Sequence, residues 1–239
     1  MIRLRQHLCV WALAMVLAPC NLASADDLVH ARYDVRLIGA KVGEMVIASR
    51  ETATQYSTRA RFKTTGAFAR LSNASFDISA RGRLAQDKFM PQSYREITSE
   101  GRHATNVKIS YKSGIATEIS GQTGDGKAGV DPKKMRGALD PITVVYATLR
   151  QQPASKACSI DTNVYDGQRH ARLTLTSRKE TSQGITCTGY YWRIAGYSSP
   201  SRENTKVPIS VQYAQVSDQL IAQKITVHTR YGKVTLHRR

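Results

Sequence analysis

The sequence predicts a mainly β fold that contains one or two short helices. Apolar residues recur at every second position in many short segments, which is the period of half-buried strands. Turn-forming pairs separate these segments. Only two stretches have helical spacing, so the pattern excludes an α/β fold.

Alternation of apolar and polar residues identifies the strands. It is clearest in the segments 33–37, 42–47, 56–62, 76–84, 107–111, 173–175, 185–194, 207–213, 225–227 and 231–236. Turn formers lie between them at Gly39-Ala40, Asp87-Lys88, Ser113-Gly114, Asp166-Gly167 and Tyr231-Gly232. The order of strands and turns predicts a succession of antiparallel hairpins.

The better of the two predicted helices begins at Asp140 and ends at Leu149. Asp140 is suited to the N-cap and Pro141 to the first helical position. One apolar stripe, expected to pack on the sheet, consists of Ile142, Val145, Tyr146 and Leu149. The other helix, at 66–71, is only one or two turns long. Between the strand-rich halves, residues 121–137 are rich in glycine and lysine and predict a mobile loop.

The first 25 residues have the features of a secretory signal peptide. Arg3 and Arg5 precede an apolar run at residues 8–17, and Ala23-Ser24-Ala25 is typical of a cleavage site. Cleavage after Ala25 would leave one β-rich domain, 26–239, in the periplasm. Acylation at Cys20 is the less favoured alternative, because Pro19 stands where a lipoprotein box requires a small residue.

The chain is strongly basic, with 35 Lys and Arg against 18 Asp and Glu and a net charge of +17. Loss of Arg3 and Arg5 with the signal peptide lowers the net charge to +15. Export removes nucleic acid as a partner, which leaves anionic envelope polymers or lipid head groups. No run of five like charges occurs, and this favours the alternative of charge spread over solvated strand faces.

Cys158 and Cys187 are the only cysteines after the predicted cleavage site. An even pair in an oxidising compartment predicts one disulfide. Closing a loop of about 30 residues stabilises the fold by roughly 3–4 kcal/mol in the chain-entropy model. Their spacing excludes a catalytic C-x-x-C motif, and two thiols are too few for a metal site.

No motif for catalysis, metal or cofactor binding stands out. The histidines after the signal are scattered, and neither a G-x-S-x-G elbow nor an S-x-x-K motif occurs. We therefore expect a non-enzymatic protein without a metal or cofactor. An envelope-polymer hydrolase is the alternative, and it requires His103 or His170 to meet a serine and a carboxylate in a cleft.

Aromatic residues cluster in one predicted strand. Tyr190 and Trp192 lie on the face opposite to that of Tyr191. One face must pack on the core, and the other is either covered by the helix at Asp140 or lines an apolar cavity. The candidate ligand-lining residues are therefore Tyr190, Trp192, Tyr146 and Ile142.

Several segments together form a recognisable order. They are the Tyr33-x-Val35 strand followed by Gly39 and Gly43, the Gly82-x-Leu84 strand leading to Pro91, Leu139-Asp140-Pro141-Ile142, Tyr165-Asp166-Gly167, and Cys187 followed by Gly196-Tyr197. This order resembles a family of bacterial envelope proteins catalogued as domain of unknown function 3108. The resemblance implies a highly curved antiparallel sheet, an open barrel or β-spiral, packed around one or two short helices. It also implies a likeness in outline to periplasmic lipoprotein carriers and envelope-integrity proteins.

The leading functional expectation is a periplasmic protein that supports cell-envelope integrity and binds a lipid or lipoprotein in its curved sheet. The first alternative is a structural module that binds anionic envelope polymers or lipid head groups through its basic surface. The second is the hydrolase described above. The ligand, the presence of an interior cavity and the oligomeric state are left open by the sequence.

Overall fold

The computed structural model describes residues 27–101, 103–122, 129–197 and 205–239. The predicted signal peptide, its cleavage site and Cys20 lie outside these ranges. Of the predicted loop 121–137, residues 123–128 also lie outside them. Neither of the two α-helices in the described ranges has the length and apolar character needed to cross a membrane.

The described residues form fourteen strands and two α-helices. The strands are β1 (Asp27–Leu37), β2 (Ala40–Glu51), β3 (Gln55–Thr64), β4 (Ala74–Ala85), β5 (Lys88–Glu100), β6 (His103–Lys112), β7 (Ile115–Gln122), β8 (Gln152–Pro153), β9 (Ile160–Tyr165), β10 (His170–Thr181), β11 (Gly184–Ala195), β12 (Lys206–Val216), β13 (Gln219–Thr229) and β14 (Gly232–Arg238). The helices are α1 (Gly66–Leu71) and α2 (Pro141–Leu149). The predicted mainly β class and both helices are thereby confirmed.

All the main strands belong to one antiparallel sheet. Its order is β7-β6-β5-β4-β3-β2-β1-β14-β13-β12-β11-β10-β9, with β8 paired to β13. The first and last strands of the chain pair in the middle of the sheet, for example Val35 with Leu236. The sheet curves around a common core without closing, because β7 and β9 remain as its two edges. This arrangement confirms the open, curved sheet that the family resemblance implied.

Strand β5 contains a proline, and the sequence pattern did not predict it as a strand. Pro91 pairs with Gly82 and Ser93 pairs with Arg81. Gln92 between them has no partner on β4, and it forms a β-bulge. Such a bulge tolerates a residue that has no backbone N–H to donate. Gly82 is also required there, since a Cβ would lie 2.7 Å from the Tyr56 ring.

The segment before α2 crosses the gap between the two edges of the sheet. Leu139 N–H donates to the Asn163 carbonyl (2.9 Å) on β9, and Gly137 N–H donates to the Gly114 carbonyl (2.8 Å) in the β6–β7 turn. Part of the predicted mobile loop is therefore structured: a 3₁₀ turn at Pro132–Met135 buries Met135. These contacts also cover polar groups that an edge strand otherwise exposes.

Helix α2 lies inside the curved sheet. Six of its nine residues are buried, namely Ile142, Thr143, Val144, Tyr146, Thr148 and Leu149. The helix contacts β3, β4 and β9, and Tyr213 of β12 donates to the Thr148 carbonyl at 2.6 Å. Because both halves of the sheet touch it, α2 packs on more than the single stripe that helical spacing predicted.

The predicted disulfide between Cys158 and Cys187 is present. Cys158 precedes β9, and Cys187 lies on β11 with no exposed surface. The bond closes a sequence separation of 29 residues and ties the entry to β9 across β10 to β11. It therefore secures one of the two open edges of the sheet.

We predict that a Cys158→Ala/Cys187→Ala variant is less stable by about 3–4 kcal/mol, because its unfolded chain is no longer restricted by a closed loop. Urea unfolding of the oxidised protein and the variant measures the difference. Wild-type protein unfolded in the presence of a reductant is the control, and it should match the variant. Equal midpoints for the oxidised protein and the variant would show that the bond does not stabilise the fold.

Candidate functional site

The interior of the sheet has a helix-filled end and an open end. Helix α2 occupies the end formed by the last residues of β2 and the first residues of β3, where Tyr146 donates to Glu51 Oε2 at 2.6 Å. Arg150, which caps the helix, pairs with the other oxygen of Glu51 at 2.7 Å. These contacts fix α2 at one end and leave the opposite end of the interior to side chains of the sheet.

A fully buried carboxylate begins α2. Asp140 Oδ1 accepts from the Thr143 N–H (2.9 Å) and Oδ2 accepts from the Thr143 hydroxyl (2.7 Å). The Tyr56 hydroxyl lies 3.0 Å from Thr143 Oγ1 and must donate to it, since the Thr143 proton is already used. Burial raises the pKa of Asp140 to about 6, although the Thr143 bonds oppose the shift. This chain of bonds explains why the N-cap position predicted from the sequence holds an acid.

An apolar cavity lies at the open end. We call it the mouth cavity; its volume is about 490 Å³. The apolar side chains that line it come from five strands: Val35, Met45, Phe62, Phe76, Val234 and Leu236, together with Ala74 at the start of β4. Phe62 and Phe76 are stacked, with ring centroids 5.3 Å apart. Ser75, Thr98, Ser99 and Glu100 complete the lining, so a mostly apolar surface that α2 does not fill has a polar border.

A smaller polar recess adjoins the mouth cavity. Its volume is about 150 Å³, and Thr98 lines both spaces. Glu96, Asp166 and Arg169 contribute charged groups to the recess. Glu96 accepts a hydrogen bond from the Tyr94 hydroxyl, and burial raises the pKa of the Glu96 carboxyl. An apolar space and a polar space thus lie side by side.

Exposed apolar residues surround the open end. Ile38 in the β1–β2 turn is 72% exposed, Leu71 at the end of α1 is 83% exposed and Tyr231 in the β13–β14 turn is 65% exposed. All three stand on connections at the end where the mouth cavity opens. Arg230 lies over the Tyr231 ring at 4.6 Å from its centroid. We call these connections the rim. The rim combines exposed apolar side chains with the positive charge of Arg230.

The four residues predicted to line a ligand site lie in two different places. Ile142 and Tyr146 are in the core on α2, each 3% exposed. Tyr190 and Trp192 lie on the outer face of β11, where Lys206 Nζ is 3.9 Å from the centroid of the Tyr190 ring. Lys206 lies over both rings on that face, and Trp192 remains exposed. None of the four lines the mouth cavity, and their role in ligand binding stays a prediction.

Sequence reasoning did not identify the mouth cavity. The alternation that places Val35, Phe62 and Phe76 on inward faces was visible, but a shared site depends on the pairing of β1 with β14, the two ends of the chain. The only local signal was the position of these apolar residues at the ends of their strands.

Histidine placement bears on the hydrolase alternative. His170 Nε2 lies 3.0 Å from the Asn163 amide oxygen, and burial lowers the pKa of the His170 imidazole. Its partner is thus an amide instead of a carboxylate. Within the described ranges, no three His, Cys, Asp or Glu side chains are grouped closely enough to hold a metal ion.

The fold and the cavity define the class of the protein as an open β-barrel-like protein with an internal helix. A structural neighbour is the crystal structure of a β-barrel-like protein of domain of unknown function DUF1849 from Brucella abortus. It aligns over 90% of this chain and 98% of its own length, with a TM-score of 0.51 and 12% sequence identity. At this identity the comparison supports the fold alone.

The family assignment follows from the sequence match. A family described as a protein of unknown function, DUF3108, matches residues 32–235. The chain belongs to this family, which confirms the resemblance drawn from the short motifs. No curated protein matches the chain.

We predict that the buried Asp140 makes the protein less stable as the pH rises from 4 to 7. Because its pKa is raised to about 6 from an ordinary 3.8, the folded state holds a proton that the unfolded state releases in this interval. The loss amounts to about 3 kcal/mol by linkage. Urea unfolding of wild type and Asp140→Asn at several pH values measures it.

Asp140→Asn should flatten this pH dependence, since the amide keeps an acceptor for Thr143 and does not titrate. Asp161→Asn is the matched control. Asp161 is exposed and its Arg172 partner lowers its pKa, so its contribution to the pH dependence of stability falls below pH 4. If Asp140→Asn and wild type kept the same slope between pH 4 and 7, the buried-acid explanation would be wrong.

Proposed function

We propose that this protein is a non-enzymatic binding protein that holds the apolar chain of a lipid or lipoprotein in its mouth cavity. The observation that carries the proposal is the mostly apolar space at the open end of the sheet, opposite to the end that α2 fills. Its volume of about 490 Å³ lies in the range of about 300–1,000 Å³ typical of small-molecule sites.

The polar recess supports an amphiphile over a purely apolar ligand. Glu96, Asp166 and Arg169 stand next to the apolar lining, and Thr98 connects the two spaces. An acyl chain in the mouth cavity would therefore place its head group beside groups that can donate and accept hydrogen bonds. The arrangement matches the two chemical halves of an amphiphile.

The rim supports exchange of the ligand with a membrane. The apolar side chains of Ile38, Leu71 and Tyr231 are 72%, 83% and 65% exposed to solvent. Aromatic and aliphatic tips beside cations favour the boundary between lipid head groups and acyl chains. A ligand could then pass from the bilayer to the mouth cavity without crossing water.

We place this activity in the periplasm, where it would support envelope integrity. The predicted signal peptide and the cysteine pair are the arguments for export, and the Cys158–Cys187 bond is consistent with an oxidising compartment. The hydrolase alternative gains no support from His170, which contacts an amide, and the His103 side chain lies outside what the structure describes.

Affinity should rise with the length of the bound chain. Each buried methylene contributes about 0.8 kcal/mol, so a fatty acid longer by two methylenes should bind on the order of tenfold more tightly until the cavity is full. Displacement of the fluorescent cis-parinaric acid measures this series. Binding should change little with salt, whereas attachment through surface charge weakens as salt rises. Affinities that are independent of chain length but steep in salt would contradict the proposal.

Blocking the mouth cavity should abolish binding of the acyl probe. Ala74 lines the cavity at the start of β4, and Ala74→Trp would fill it with an indole ring. Ala85→Trp, an exposed position at the other end of the same strand, is the matched control and should bind cis-parinaric acid as the wild type does. Equal binding by both variants, each folded by circular dichroism, would place the ligand elsewhere.

A further inference from the structure

The outer face of strands β3 to β6 carries a basic groove on the side of the sheet opposite to α2. Two spaces of about 510 and 580 Å³ adjoin there. Both are lined by Ser57, Arg81, Ser93 and Ser110. We call the two spaces together the basic groove.

Strand register arranges the lining of the basic groove in two rows that cross the strands. The first row, from β3 to β6, is Arg59, Ser79, Arg95 and Lys108. The second row is Ser57, Arg81, Ser93 and Ser110. Neighbouring strands are about 4.8 Å apart, so the rows extend over roughly 15 Å. Each of the four strands contributes one cation and one serine.

The charge of the basic groove has one sign. Five cations line it: Arg50, Arg59, Arg81, Arg95 and Lys108. No Asp or Glu is among the described residues that line it. Two carboxylates stand at its margin: Asp77 pairs with Arg59, and Glu118 lies opposite Ser110 on β7.

Several of these groups are available to a ligand. Arg95 and Lys108 are exposed, and within the described ranges neither has a carboxylate at ion-pair distance. Arg81 Nε donates to Ser93 Oγ at 3.1 Å, which leaves the rest of its guanidinium fork to donate. Guanidinium, ammonium and hydroxyl donors are the groups that recognise phosphate oxygens.

We propose that the basic groove binds a linear polyanion in which phosphate groups repeat along the chain. A single phosphate would neutralise only part of a set of cations that spans four strands. Arg95 and Lys108 are direct cross-strand partners at roughly 5 Å, and Arg81 is diagonal to Arg59 and Arg95 at roughly 7–8 Å. This spacing suits charges repeated along one extended chain. Release of counterions then adds to the affinity.

The shape and composition of the groove favour a single polyanionic chain over two other polyanionic partners. A flat bilayer presents its head groups in a plane, whereas these cations line a recess between strands. Single-stranded nucleic acid relies on aromatic rings for base stacking, but the two tyrosines that line the groove, Tyr56 and Tyr94, are buried on the inner face. A phosphate chain without bases fits the lining best.

Binding of fluorescently labelled inorganic polyphosphate, followed by anisotropy at low salt, tests the proposal. Arg95→Gln/Lys108→Gln should weaken binding at least about tenfold. A tenfold loss of affinity corresponds to the loss of about one charge-assisted hydrogen bond. It should also reduce the slope of log affinity against log salt by about two. Lys133→Gln/Lys179→Gln removes the same charge at exposed sites outside the groove and should bind within about twofold of wild type, as expected for surface substitutions.

Three outcomes would overturn the proposal: equal losses in both double variants, competition by orthophosphate as strong as that by unlabelled polyphosphate, or tighter binding to phosphatidylglycerol vesicles or a DNA oligonucleotide. The groove and the mouth cavity lie on opposite faces of the sheet. Arg95→Gln/Lys108→Gln should therefore leave cis-parinaric acid binding intact, and Ala74→Trp should leave polyphosphate binding intact. Failure of either site is thus distinguishable from failure of the other.

Discussion

The enclosure of one short helix by a curved sheet is the constraint on which the rest of the structure depends. Helix α2 starts at a fully buried acid, Asp140, and its end is tied to Glu51 through Tyr146 and Arg150. A curved sheet leaves an apolar inner face that must be filled, and nine helical residues fill only one end of it. The other end keeps the mouth cavity, so the length and placement of α2 determine which end of the interior stays open.

The topology explains why the helix lies inside. The first and last strands of the chain pair at the centre of the sheet, so both free edges belong to strands from the middle of the sequence. The connection between those edges must cross the gap, and it does so by bonding to Gly114 on one side and Asn163 on the other. The disulfide secures the same side of the molecule by joining the entry of β9 to β11. The gap in the sheet is therefore bridged by the segment that carries the helix.

The two faces of the sheet have different chemistry because strand side chains alternate. On β3, Tyr56 and Thr58 point to the core, whereas Ser57 and Arg59 point outward. The same alternation on β4 to β6 gives an apolar inner face and a basic outer groove. The large positive charge is thus partly concentrated in cross-strand rows, although the sequence contains no run of like charges. A linear scan for charge runs cannot detect neighbours that the sheet places side by side.

Local patterns in the sequence determined the mainly β class, most strands, the cysteine pair and the limits of α2, because alternation, turn residues and the Asp140-Pro141 cap act over a few neighbouring positions. They missed β5, since Pro91 is tolerated only where the pairing with Gly82 shifts. They also missed β7, β8 and β9, two of which are the edges of the sheet. Only the tertiary structure decided which inward residues line the mouth cavity, which cations form the basic groove, and that Tyr190 and Trp192 face outward while Tyr146 is buried. These sites depend on strand register between distant segments, and no local spacing encodes that register.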